Sequence, residues 1–152
     1  MTSASSVESQ SDSAEDTVAA IASVHTRTVD TASGYAKMVE KADTSFRPTA
    51  EAFRALHARH ADRLARLLVA KGHQPDTDGS FIGTVNRVVV GARAMVDDID
   101  GDVFAAIHSG EQHVLSAFDD ATAAHVTPDE RSALTEMRDE LTALLAAHPA
   151  RA

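Results

Sequence analysis

The sequence predicts an all-α chain, a four-helix bundle with a helical crossover segment between its second and fourth helices. Apolar residues recur at three- and four-residue spacings through every long segment, which is the period of an amphipathic helix. No stretch sustains the apolar–polar alternation of a half-buried strand. Pro48, Gly72, Pro75 and Pro128 fall between the periodic segments rather than inside them, so they mark boundaries.

The first helix is expected over about residues 15–42, where Val18, Ile21, His25, Val29, Ala32, Ala36 and Val39 hold the period. Residues 1–14 are rich in serine and acid and too poor in apolar side chains to offset ordering entropy, so they are expected as a disordered tail. Asp43 to Arg47 form a polar turn, and Pro48 suits a first helical position, where its missing N–H would be unpaired anyway. The second helix is therefore expected from Pro48 to Gly72, a residue able to take the left-handed cap. Its stripe is Phe53, Leu56, His60, Leu64, Leu67 and Leu68, with His57 beside it. So short a first connection makes these two helices antiparallel neighbours.

The third periodic stretch carries Phe81, Ile82, Val85, Val88, Val89, Ala92, Met95, Val96 and Ile99. Val88 to Val90 are β-prone alone, but the helical period holds across the whole stretch. Asp97 to Asp102 break it. A fourth helix follows with Phe104, Ile107, Glu111, Val114, Leu115 and Phe118 on one face, and His108 flanks that stripe. Thr127-Pro128-Asp129-Glu130 reads as a capping box opening a fifth helix, whose stripe is Leu134, Met137, Leu141, Leu144 and Leu145. The domain is expected over residues 15–148. A connector of about 18 residues spans about 27 Å as a helix, enough to return the chain along the bundle and set the second and fourth helices parallel.

Composition excludes several classes. Lys and Arg number 14 against 23 Asp and Glu, a net charge of -9, which argues against nucleic acid and anionic lipid as partners. Cysteine is absent, so there is no disulfide, thiolate metal site or cysteine nucleophile. The first 16 residues lack the basic and apolar regions of a secretory signal, so a cytoplasmic location is expected. No run of about 18 apolar residues occurs, so no membrane insertion is expected.

Asp30 with Gly34-Tyr35, His60 followed by Leu64, Gly72 with Pro75, Gly79-Ser80 with Gly83 and Arg87, and Gly110-Glu111 occur in order along the chain. In these residues the sequence resembles a bacterial family of ferritin-like four-helix-bundle proteins carrying a domain of unknown function, over about Val18 to His148. The resemblance implies a fold. It carries over no activity.

Di-iron sites in ferritin-like bundles draw a Glu from each of two helices and a Glu-x-x-His from each of the other two. No Glu-x-x-His occurs here, which argues against a standard di-iron oxidase and leans against an enzyme. What remains is His57-x-x-His60 on the second helix and His108-x-x-Glu111 on the fourth. Parallel helices put these pairs at similar depth, so His60 and Glu111 are expected to face each other. His57, His60, His108 and Glu111 form the candidate metal set, suited to a single Fe, Zn or Mn ion. The plainer reading of the same residues is a buried histidine hydrogen-bonded to a buried carboxylate. His25 is expected as a lone, satisfied core histidine; His73, His113, His125 and His148 are expected at solvated positions.

Asp98-x-Asp100-x-Asp102 has the spacing of a calcium loop, but Val103 stands at the glycine position and Ser109 at the closing Glu, so it reads as a helix break. Arg54, Arg59, Arg63 and Arg66 read as an exposed basic stripe paired with neighbouring acids. There is no Ser-His-Asp constellation and no glycine-rich phosphate loop. Two functions follow: a non-catalytic structural or partner-binding bundle, to which the family resemblance alone adds a stress association, or a metal-binding bundle with a degenerate His/Glu site and a redox or storage role. A second helix face leaves room for a homo-oligomer or a protein partner.

Overall fold

The computed structural model describes residues 3–75 and 102–149, with side chains over residues 13–75 and 103–149. Four helices carry them: α1, Ser3–Lys41; α2, Arg47–Ala70; α3, Asp102–Ala123; and α4, Pro128–Ala147. No strand occurs among the described residues. The expected connector helix at Phe81 to Ile99 and the break from Asp97 lie outside the described residues; the expected fourth and fifth helices are α3 and α4.

Helix α1 begins at Ser3 rather than near Glu15, so the backbone expected to form a disordered tail is helical. The segment contains neither proline nor glycine. Extending a helix from a formed nucleus costs far less than starting one, which lets a polar sequence continue it. The buried line of α1 also differs from the expected one. It runs through Thr17, Ile21, Val24, Thr28, Tyr35, Met38 and Ala42, while Val29, Ala32 and Val39 are only half-buried. Threonines occupy part of that line, so hydrophobicity alone misplaces it. Thr17 and Thr28 satisfy their hydroxyls on the carbonyls of Ser13 and Val24, four residues back.

The helix ends follow local chemistry. Asp43 Oδ1 accepts from the amides of Phe46 and Ser45 and from the Ser45 hydroxyl, closing the turn into α2. The Phe46 amide, first among these donors, holds the Asp43 carboxyl below its ordinary pKa. At the other end of α2, Gly72 has φ +78. The His73 amide donates to Leu68 and the Gly72 amide to Val69, which is a Schellman closure and needs a left-handed residue between. The capping box at α4 is present in full: Glu130 N–H donates to Thr127 Oγ1, and Thr127 N–H donates to Glu130 Oε1.

Helix α1 packs on α2 and α3, and α4 packs on α3 and α2, so α2 and α3 face each other across one diagonal of the bundle. Paired side chains give the directions. Phe46 meets Phe104, His57 meets Glu111 and His60 meets Phe118, so α2 and α3 run parallel. Phe53 meets His148, His60 meets Glu140 and Lys71 meets Glu130, so α2 and α4 run antiparallel. The chain joins parallel α2 and α3 through residues 76–101. Their path lies outside the described residues.

The core gathers Ile21, Val24, Phe53, Leu64, Leu68, Phe118, Leu134, Met137 and Leu141, each fully buried. The expected stripes of α2, α3 and α4 hold, with Leu67, Phe104 and Leu144 half-buried at their edges. Set among these apolar groups are His57, His60 and Glu111, none more than 1% exposed.

Candidate functional site

Glu111 stands on α3 in the line from Ile107 to Val114, and that position carries it into the diagonal between α2 and α3. A carboxylate there must find donors, because an unpaired buried charge costs several kcal/mol, on the order of what a whole domain has to spare. Two arrive at the same oxygen. The Tyr35 hydroxyl donates to Glu111 Oε1 at 2.7 Å, and His57 Nε2 lies 2.8 Å from it. Tyr35 comes from α1, His57 from α2 and Glu111 from α3, so one atom joins three helices.

Aromatic packing orients both donors. The Tyr35 ring stacks on Phe53 at 5.2 Å and on His57 at 5.8 Å, with interplanar angles of 16° and 10°. Burial, with the charge and hydrogen bond of Glu111 adding to it, raises the Tyr35 pKa well above its ordinary value and keeps the hydroxyl protonated as a donor.

His60, one turn further along α2, is buried edge-on to Phe118, with ring centroids 6.1 Å apart at 84°. Its Nε2 lies 3.4 Å from Glu140 Oε2 on α4, a longer contact than that of His57. Arg63 joins this group, reaching Glu140 at 3.3 Å and Glu136 at 3.2 Å. Burial lowers the His60 pKa; Glu140 works against that shift, while His57 and Arg63 add to it. His60 is therefore neutral at pH 7.

The expected His60–Glu111 pair is not formed; His57 takes that place. His57 follows the first residue of α2 by ten positions and Glu111 follows that of α3 by nine, which puts these two at equal depth. His60 lies one turn beyond. His108 is directed elsewhere: its Nε2–H donates to the His148 carbonyl at the end of α4, at 2.8 Å. His57, His60, His108 and Glu111 thus do not close around one point. Among the described residues no three His, Cys, Asp or Glu side chains are arranged to hold a metal ion.

His148, expected at a solvated position, is half-buried with its ring 5.9 Å from Phe53. His25 is buried as expected, and burial lowers its pKa. Tyr35 and Glu140 were not among the candidate residues. Tyr35 is the sole tyrosine, in a helix whose stripe reads one position away from it, and Glu140 sits beside the apolar stripe of α4. The basic residues of α2 do form an outer face, with Arg54, Arg59 and Arg66 exposed.

Three polar atoms of this centre are buried without a hydrogen-bond partner among the described residues: Glu111 Oε2, His57 Nδ1 and His60 Nδ1. An open groove of ≈ 810 Å³ runs along α4 past Glu136 and Glu140, and a second of ≈ 430 Å³ lies between Val18 and Gly72 at the bundle end. Neither is lined by Tyr35, His57 or Glu111. No described helix is long and apolar enough to cross a membrane.

Comparison with curated proteins finds no match, and neither does comparison with solved structures. The family model described as a domain of unknown function, DUF2383, matches residues 16–124, which contain Tyr35, His57, His60 and Glu111. The match covers more than two thirds of the chain and every residue of the Tyr35–Glu111–His57 group, so the chain belongs to the DUF2383 family.

Proposed function

We propose that this chain is a ferritin-like helical bundle with a structural or partner-binding role and no catalytic one, whose buried polar centre specifies how its helices register. The carrying observation is the convergence of Tyr35 and His57, from two helices, on one oxygen of Glu111 from a third, with no more than 4% of any of the three exposed. Each donor in this group spends its proton on another buried side chain. A buried polar group satisfied in one register and orphaned in all others penalises the alternatives. Parallel α2 and α3 support the crossover topology of a ferritin-like bundle.

A variant combining Tyr35→Phe, His57→Phe and Glu111→Leu tests this role. It is expected to keep its helical circular dichroism while losing near-ultraviolet signal and amide dispersion, because an apolar centre no longer selects one packing. A triple variant with native dispersion overturns the proposal.

The metal-binding reading is favoured by a different observation, the three buried polar atoms without a hydrogen-bond partner among the described residues. Metal analysis of protein purified without a histidine tag tests it.

A further inference from the structure

His57 and His60 share one arrangement. Each turns Nε2 toward a carboxylate, Glu111 for His57 and Glu140 for His60, and each leaves Nδ1 buried without a partner. A carboxylate accepts hydrogen bonds, so in a neutral ring each pairing places the proton on Nε2 and leaves a lone pair on Nδ1. Histidine ligands of metals are held in the same way, the far ring nitrogen donating to a carboxylate that fixes tautomer and ring orientation. At i and i+3 the two side chains are neighbours on one face of α2, with Cβ atoms roughly 5–6 Å apart. Glu111 Oε2 is a third buried atom of the same polar centre without a hydrogen-bond partner among the described residues.

We propose that His57 Nδ1 and His60 Nδ1 form a two-imidazole site for one divalent first-row transition-metal ion, with Glu111 and Glu140 as orienting carboxylates rather than ligands. This rests on the metal-binding reading and changes its composition: His108 is excluded, and Glu140 enters. Water fills the remaining coordination positions, which fits a centre where no third His, Asp or Glu among the described residues is arranged to ligate. Such a water has Glu111 Oε2 as an acceptor. Neutral imidazole is the binding form.

The test uses the full, untagged, metal-free chain. Long-range ¹H–¹⁵N spectra of the imidazoles at pH 7.5 should show both His57 and His60 with the proton on Nε2. Adding Zn²⁺ alone should then shift the Nδ1 resonances of these two rings, saturating at one equivalent. Glu140→Gln, at a half-exposed position, should weaken zinc binding about 10- to 100-fold, while His108→Ala leaves it unchanged. A proton on either Nδ1, undisturbed His57 and His60 resonances at excess zinc, or binding that survives His57→Gln with His60→Gln in a folded protein overturns the site. In the last case the exposed His73, His113 and His125 account for the binding. The polar-centre role stands or falls separately, on the dispersion of the Tyr35, His57 and Glu111 triple variant without metal.

Discussion

His57 lies across the bundle diagonal from Glu111, its Nε2 2.8 Å from Oε1, and shares that oxygen with the Tyr35 hydroxyl. Two donors on one oxygen leave Oε2 bare. The group is therefore tied tightly on one side and open to a further donor on the other.

Replacing Glu111 by Gln should destabilise the protein by about 1–3 kcal/mol, since two charge-assisted bonds become neutral ones inside the core. Urea denaturation at neutral pH measures it. An unchanged midpoint would place the carboxylate outside the energetic centre of the fold.

Tyr35→Phe combined with Glu111→Gln should cost less than the sum of the two single changes. Residues sharing one hydrogen-bond network couple by about 0.5–3 kcal/mol. A double-mutant cycle gives the coupling directly, and additive losses would mean that the 2.7 Å bond contributes nothing to stability.

Thr127→Ala should cost about 1 kcal/mol through loss of the helix cap. Glu130→Gln keeps a side-chain acceptor for the Thr127 amide but removes the charge that meets Lys71 at 2.9 Å, and it should cost at most about 1 kcal/mol. Thermal melts of both variants separate the cap from the ion pair.

Stability should fall as pH drops from 7.5 to 5.5. Burial lowers the pKa of His25 and of His60 below 6.5 in the folded chain. The unfolded chain therefore takes up protons near 6.5 while the folded chain does not, and acid favours the unfolded state in the window between the two values. The melting temperature at pH 5.5 should lie below that at pH 7.5, and His25→Gln should flatten the slope. A melting temperature independent of pH over this range would refute both burial-driven shifts.

Phe118→Ala should cost about 3–5 kcal/mol, as a fully buried aromatic replaced by a methyl leaves a cavity beside the His60 ring. Equilibrium unfolding measures the loss, and the imidazole spectrum of His60 should shift with it.

The helical periods of α2, α3 and α4, the capping box at Thr127 and the left-handed closure at Gly72 were legible in the residues, because each depends on neighbours within a turn or two of chain. The buried line of α1 was not. Thr17, Thr28 and Tyr35 hold places on its buried side that hydrophobicity assigns to solvent; the two threonines bond carbonyls one turn back, and Tyr35 bonds a carboxylate that another helix supplies. The sequence likewise named His57, His60 and Glu111 as residues that a core must accommodate. Which histidine meets the carboxylate was a matter of relative helix depth. A difference of three residues along α2 is one helical turn, about 5 Å, enough to exchange one partner for another. Tyr35, 76 positions from Glu111, entered the site because α1 folds back beside α2 and lays its one phenol against a carboxylate that local sequence could not have told it to meet.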